Sequence, residues 1–417
     1  MGSVSKQIAT TKITEPLTIA SVALALRILV ALLAYARRDI VSMLWPRGVE
    51  ALGIAKSLLT GTGFSSPFAL PTGRTAFLTP IYPLLLAGIE RISGIATSAS
   101  AWTILVMQCI FSAATCIPIY YLAVEIFDTK VANRATWIWA LLPYAIILPT
   151  NIIWESSLSG LMLATGLLAF VQTRNSSSVF ARVSLGAFWA LACLVNAALL
   201  LLLPALLFFD FRRDRKQWPR AVLCIAAFTV SLMPWSMRNY WTFHKLFPLR
   251  DNFALELWIG NHEGATTRFD PEIHPAFNHN EVHRYQALGE IGYMAEKRAI
   301  AVEFIGDHPV LFVINTVRRF FTYWFVNWHA LWLMVPALSL IGFFGLGLLL
   351  VRSHPLAWMF WIPLMIYPLP YYITHPDLRY QHPVQPLMAI LCAYALRRLQ
   401  DPQTATRSVQ EVVEVEA

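Results

Sequence analysis

Charge is scarce in this chain of 417 residues: Asp, Glu, Lys and Arg make up 13% of it, while 57% belongs to the set AVILMFWYC. A soluble protein carries about 25% charge. The shortage excludes a disordered segment, a collagen-like chain and an ordinary cytosolic enzyme. Cysteine is scarce too. All five (Cys109, Cys116, Cys193, Cys224, Cys392) lie inside apolar runs with no metal-like or redox spacing, so they read as small buried hydrophobes and no disulfide framework is implied. There is no internal repeat, and the only low-complexity stretch is the Val/Glu tail from Val409, read as a solvated C-terminus. The net charge of +8 would raise nucleic acid as a partner in a soluble protein. Here it reads as positive-inside bias between membrane spans, and no nucleic-acid partner is implied.

What is present is a series of apolar runs, and the reading is an all-α polytopic membrane protein of about ten spans, each about 20 residues or somewhat shorter. The runs are 16–36, 98–127, 135–150, 156–171, 183–195, 197–209, 221–237, 328–351, 356–373 and 384–396. Ala34-Tyr35-Ala36 before Arg37 has the form of a signal-peptide cleavage site, but the run ahead of it is longer than a signal core and carries Arg27 at its centre, so it is read as a retained span. Residues 183–209 could form one helix. That would place Arg212, Arg213, Arg215, Lys216 and Arg220 outside, so two short or re-entrant helices turning at Asn196 are expected instead. Both termini then lie inside, including a cytoplasmic tail at 397–417. The chain is one membrane unit over 1–417, with outer loops at 37–97 and 238–326 and a short outer turn at 374–383.

The first outer loop carries helical periodicity. Leu52, Ala55, Leu58 and Leu59 share one face of a helix that Gly61 ends, while Glu50, Gly53 and Ser57 occupy the other, a carboxylate beside small residues that leave room for a ligand. Pro80, Tyr82 and Pro83 open a second apolar segment, 84–89, expected to be an interfacial helix lying on the bilayer.

The order Glu50-Ala51-Leu52-Gly53-Ile54-Ala55-Lys56-Ser57-Leu58-Leu59, Gly61-Thr62-Gly63-Phe64, Pro71-Thr72 and Pro80-Ile81-Tyr82-Pro83-Leu84-Leu85-Leu86-Ala87 resembles the first outer loop of the GT-C glycosyltransferases. It is most similar to the bacterial relatives of the dolichyl-phosphate-mannose protein mannosyltransferases (glycosyltransferase 39-like). Pro234-Trp235-Ser236-Met237-Arg238-Asn239-Tyr240, Trp258-Ile259-Gly260-Asn261 and Arg379-Tyr380-Gln381-His382-Pro383 look like phrases of the same group. The resemblance implies a multi-pass protein of the bacterial inner membrane that moves a hexosyl or pentosyl unit from a polyprenyl-phosphate donor to an extracytoplasmic glycan, lipid or protein acceptor. It also implies a catalytic acid early in the first outer loop, commonly an Asp a few residues before the helix alanine. Pro46-Arg47-Gly48-Val49-Glu50 lacks that Asp, which makes Glu50 the first candidate base and Asp39 the second.

Such a transferase must deprotonate an acceptor hydroxyl and stabilise a departing phosphate, tasks for a carboxylate and for fixed cations. Glu50 has the right type and setting, although a first-turn acid also suits a helix dipole without catalysing anything. Glu155, at an outer boundary after Trp154, is either a second carboxylate of the site or an interfacial acid reaching water. Arg379 and Tyr380, with His375, Asp377 and His382 nearby, are expected to meet a lipid phosphate or else to anchor the interface. Arg74, Arg238, Asn239 and Asn261 complete the candidate substrate-binding set. His274, His279 and His283, with Glu272 and Glu281, form the one metal-like cluster, a weak candidate for a divalent ion that the sequence does not require. Arg27 is expected to face protein and partner an acid. Trp324, Trp328 and Trp332 read as an interfacial stripe. A transporter or flippase of lipid-linked or small solutes is the alternative, disfavoured because the polar inventory sits in outer loops rather than at mid-membrane.

Overall fold

The computed structural model describes residues 14–325 and 333–400. Among them regular structure is helical, the lone exception being an antiparallel bridge between Ser65 and Arg74. Among the described residues five helices are long and apolar enough to cross a membrane: Thr14–Tyr35, Ser98–Ile126, Ser156–Thr173, Arg215–Phe243 and Met334–Val351. Thr129–Leu141 with Pro143–Asn151, bent by 44°, and His279–Asp307 with Pro309–Phe325, bent by 104°, raise the number to seven if each pair is one span. The chain is an integral membrane protein, but the ten expected spans do not emerge as ten membrane-length helices.

The discrepancy is local. The run 356–373 splits into Trp358–Ile366 and Leu369–Ile373 around Pro368 and Pro370, which cannot donate to a continuing helix. The runs 183–195, 197–209 and 384–396 become helices of 17, 12 and 16 residues. The start of the run 328–351, with Trp328 and Trp332, lies outside the described residues. Trp324 is buried and donates to the Tyr372 hydroxyl at 2.6 Å, so it belongs to the packed interior and not to a lipid-facing stripe.

The turn at Asn196 is present. The Val179–Val195 helix leaves the end where the Cys224 thiol meets the Arg182 carbonyl and reaches the opposite end, where the Val195 carbonyl accepts from Thr79 of the first outer segment at 2.8 Å. Leu202–Arg213 returns, and Asp210 there pairs with Arg174 at 2.6 Å and Arg220 at 2.7 Å. The turn's polar groups are enclosed: the Asn196 amide donates to the Ser159 and Tyr367 hydroxyls at 3.2 and 3.3 Å, and its oxygen accepts from Ala198 N at 3.0 Å. Non-helical backbone at this depth is tolerated only with such partners.

Arg27 is fully buried, but an acid is not its partner. Its guanidinium donates to the Ser112 hydroxyl at 2.9 Å and to the carbonyls of Ala23 and Ala140 at 2.9 and 3.2 Å. It thus stitches three helices together at the opened Leu141 to Pro143 bend, where the carbonyls are free to accept.

The two segments expected to be outer loops form their own core. Leu52, Ile54, Phe64, Phe68 and Phe77 of the first pack with Leu255, Ile259, Val282 and Tyr285 of the second. The expected interfacial segment is the amphipathic helix Ile81–Ser93, which buries Tyr82, Leu86 and Ala87 and exposes Leu84 and Ile92. On the Val49–Leu59 helix Gly53 does not leave ligand room. A Cβ there would stand 2.8 Å from the Ser66 carbonyl oxygen, so the small residue admits the following loop instead.

Candidate active site

Glu50 stands in the first turn of the Val49–Leu59 helix, and Glu155 at the N-cap of Ser156–Thr173. Two devices bring these remote acids together. Gly48 lies so close to Ile153 that an added Cβ would stand 2.6 Å from the isoleucine Cβ, and Ile153 N donates to the Arg47 carbonyl at 3.3 Å. Gln108, buried within its helix, donates to the Pro149 and Ile152 carbonyls, both at 3.0 Å, and accepts from Trp154 N at 3.1 Å and the Tyr82 hydroxyl at 2.7 Å. An amide in this setting is costly unless paired, and paired it pins the 149–154 backbone.

From the second outer segment comes Glu256, the one acid in the otherwise apolar helix Phe253–Gly260. It bonds the wholly buried His375 at 2.8 Å. That pairing depends on Gly260, where a side chain would overlap the Thr374 carbonyl, and on Asn261, whose amide donates to the Ile373 carbonyl at 2.8 Å. Arg319 donates to the Gly260 carbonyl and, at 3.3 Å, to that of Ile373, closing the junction. Arg379 is held by aromatic faces: its guanidinium lies 4.3 Å from the Trp154 ring centre and donates to the Tyr380 hydroxyl at 3.0 Å. Asp377 caps its short helix by accepting from Arg379 N at 2.9 Å.

Glu50, Glu155, Glu256, His274, His375, Arg250, Arg379 and Tyr380 all line one cavity of about 560 Å³, walled on its apolar side by Phe77, Leu78, Phe253, Phe269 and Tyr371. Burial raises the Glu50 carboxyl above its ordinary value; Arg379 opposes this and Glu256 adds to it. Burial also lifts Glu155 to about 7, against the pull of Arg250 and Arg379. Burial acts on Glu256 in the same direction, yet its bond to His375 and the nearby charges outweigh it and hold the acid at about 2. His274 is pushed down to about 4 by burial, so it is neutral at pH 7. Its Nδ1 accepts from Ala276 N at 3.1 Å, which leaves the proton on Nε2. The Arg379 guanidinium is held firmly charged: burial works against the charge, and Tyr380, Asp377 and Glu50 more than offset it. The cavity therefore combines a carboxylate suited to taking a proton, a carboxyl poised near neutrality, an ionised acid, the Asp377 helix cap and the three guanidiniums of Arg47, Arg250 and Arg379.

The sequence candidates divide accordingly. Glu50, Glu155, Arg379, Tyr380 and His274 are at the cavity. Asp39 is away from it, capping Ile40–Leu44 by accepting from Val41 N and Ser42 N, and those bonds lower its pKa. Arg238 donates to the Thr75 and Phe64 carbonyls at 2.7 and 3.0 Å, and Asn239 to that of Leu249 at 3.2 Å; with Asn261 they build the walls and do not line the space. Arg74 is exposed at the Ser65 bridge. His279 and His283 face each other at 2.9 Å on an exposed helix turn, apart from His274, and among the described residues no group of three or more His, Cys, Asp or Glu is placed to hold a metal ion. Of the charged lining residues, Arg47, Arg250 and Glu256 were not singled out in the sequence, and the last two could have been found. Their one signal was polarity out of place: a basic residue opening Arg250-Asp251-Asn252 and a lone acid in an apolar octapeptide.

No family model matches the chain, and no curated protein matches it in sequence. Solved structures do match in fold. The archaeal oligosaccharyltransferase AglB from Archaeoglobus fulgidus, in complex with an inhibitory peptide and a dolichol-phosphate, superposes with a TM-score of 0.58 at 17% identity, over 95% of this chain and 52% of that one. The same enzyme tethered by a disulfide to an acceptor peptide with the NVT sequon gives 0.58 at 15%, over 96% and 51%. ArnT from Cupriavidus metallidurans bound to undecaprenyl phosphate gives 0.51 at 16%, over 95% and 62%. The chain thus spans about half to three-fifths of the length of these structures. At these identities the likeness is one of fold.

Proposed function

We propose that this GT-C-like membrane protein is a glycosyltransferase that moves a sugar from a polyprenyl-phosphate carrier to an acceptor hydroxyl on the extracytoplasmic face, in a bacterial inner membrane. The observation that carries the reading is the single cavity in which Glu50 and Glu155 face Arg250 and Arg379. The dolichol-phosphate and undecaprenyl phosphate bound by the matching structures support the carrier class.

In this reading Glu50 takes the proton of the acceptor hydroxyl, whose oxygen attacks the anomeric carbon as the bond from that carbon to the phosphate oxygen breaks. The released lipid phosphate gains negative charge, which Arg379 and Arg250 meet in a site already polarised for it. Glu155, whose carboxyl burial lifts to about 7, hydrogen-bonds the acceptor or donor oxygens. The ionised Glu256 holds His375 at the cavity wall, and Tyr371 and the phenylalanines offer apolar faces to the sugar and the first isoprene unit. The acceptor is an envelope glycan, lipid or protein.

A transporter or flippase finds less support. The charged groups converge at one end of the bundle, while the deeply placed Arg27 is satisfied by a hydroxyl and carbonyls. The test is transfer of radiolabelled sugar from a panel of polyprenyl-phosphate sugars to membrane fractions by the purified protein. Label movement into lipid, glycan or protein supports the reading. Movement of intact donor across vesicles without bond cleavage replaces it with the transport reading.

A further inference from the structure

Behind the cavity wall lies a carboxyl pair for which the proposed reaction has no use. Residues 75–78 of the first outer segment run beside residues 249–253 of the second, with Asp251 N donating to the Ala76 carbonyl at 3.3 Å. Glu290, at the restart of the His279–Asp307 helix after the break at Gly289, closes this junction. Its carboxylate accepts from Ala76 N at 2.6 Å and from the hydroxyls of Thr75 and Tyr285. Asp251 lies within hydrogen-bonding reach of Glu290, and among the described residues neither of its buried oxygens has another donor. Two acceptors in contact make a bond only if a proton sits between them, and two carboxylates so placed cannot both ionise cheaply. The residues next along the chain are cavity residues, Phe77 and Leu78 on one segment, Arg250, Asn252 and Phe253 on the other.

We propose that Asp251 and Glu290 share one proton and serve as positioning residues, a latch that joins the two outer segments and sets Arg250 and Phe77 in the cavity wall. The charged and titratable groups facing the pair fit this role. Burial raises Asp251 and the adjoining Glu290 raises it further, with Lys245 opposing. Burial raises Glu290, while the donated hydrogen bonds, led by those of Thr75 and Tyr285, pull the other way. Arg238, with Arg74 beyond it, is the nearby cation on the first segment's side, but it spends its hydrogen bonds on the carbonyls of Thr75 and Phe64 and so does not replace the proton. Both pKa values are raised in the closed latch, so its stability is complete below the ordinary carboxylate range and is lost progressively as pH rises toward the raised value.

The link to Arg250 rests on the glycosyltransferase reading; the latch itself is measurable without turnover. The experiment is amide hydrogen exchange of the full chain in detergent micelles from pH 5 to 9, read on peptides covering 74–78 and 249–253 and corrected for intrinsic exchange. Opening releases one proton, so wild-type protection should fall about tenfold per pH unit until it levels above the pair's raised pKa. Asp251→Asn replaces the shared proton with a permanent amide donor and should show flat protection over the same range. Glu290→Gln, which can still donate to Asp251, should also lose the slope. Flat protection in the wild type, or the same slope in both variants, overturns the latch. If the slopes behave as stated while no polyprenyl-phosphate sugar is turned over, the latch stands and the transferase reading falls.

Discussion

Gly260 carries the junction between the Glu256 helix and the His375 turn, and replacing it with alanine tests how closely the site depends on that approach. An added Cβ would stand 2.6 Å from the Thr374 carbonyl carbon and 2.9 Å from its Cα, where ordinary contact begins at 3.4 Å. All three neighbours are backbone, the nearest being the Thr374 carbonyl oxygen, so no flexible side chain can yield and the two segments must part by at least about 0.8 Å, the difference between 2.6 and 3.4 Å. The Glu256 to His375 bond of 2.8 Å then stretches beyond hydrogen-bonding range unless the side chains re-aim. Misplacement of a reacting constellation by about 1 Å costs about 100-fold in rate, or about 2.7 kcal/mol of barrier, and overpacking costs about 1–3 kcal/mol of stability. Gly260→Ala should therefore lose turnover on the order of 100-fold per folded molecule and melt at a lower temperature. The control is Gly347→Ala, where the new methyl meets nothing within 4 Å; this should leave turnover unchanged and stability equal or better by up to about 1 kcal/mol. The assay is radiolabelled transfer with purified, monodisperse protein, alongside thermal unfolding. Wild-type turnover in a fully folded Gly260→Ala would refute the claim that this approach positions the chemistry.

Three further outcomes follow from the cavity. Glu50→Gln keeps shape and hydrogen bonding but removes the proposed base, so transfer should fall by about 100-fold or more with donor binding retained, whereas Asp39→Asn, at a helix cap outside the cavity, should turn over normally; the reverse pattern would move the role to Asp39. Arg379→Lys should weaken both donor affinity and turnover, and Arg379→Ala should weaken them further, because a planar guanidinium seated against Trp154 is replaced first by a point charge and then by none; unchanged kinetics in Arg379→Ala would leave Arg250 as the phosphate contact. The pH profile of kcat/KM should show an acid limb above the ordinary carboxylate range, since burial raises Glu50 and the base must be ionised to act. Activity is lost as pH falls through that raised value, and removing Arg379, which lowers it, should move the limb further up; an acid limb at or below the ordinary carboxylate range would exclude Glu50 as the titrating base.

Glu155 and Arg379 were visible in the sequence because each is a polar residue at the edge of an apolar run, where an unpaired charge is costly enough to need a reason, and Glu50 because it opens a periodic helix in a loop that resembles a known family. Glu256 and His375 were not visible as a pair, since 119 residues separate them and their contact is set by Gly260 and Asn261 rather than by any local pattern. Helical periodicity placed Gly53 beside Glu50 correctly, but periodicity reports a face and not what covers it, and the Ser66 to Pro67 backbone fills that space. Histidine spacing misled for a related reason. His274 belongs to the cavity, while His279 and His283 open the exposed start of the next helix, and a count along the chain cannot see the change of direction at Asn278, which caps it. Hydropathy found the spans' positions better than their continuity, because prolines such as Pro368 leave mean hydropathy high while ending the helix.

The hairpin at Asn196 separates two jobs that a continuous helix would have fused. Its backbone is fastened by the asparagine side chain to Ser159 and Tyr367, and the two residues that follow, Ala197 and Ala198, line the cavity with the smallest side chains after glycine. Architecture there is owned by one residue and depth by its neighbours. A larger side chain at either alanine would make the chamber smaller without touching the fastening, and in the proposed transferase would so exchange one size of sugar for another while the acids and guanidiniums stay where they are. In a scaffold of this kind substrate range can drift by single substitutions at a site that carries neither the chemistry nor the fold.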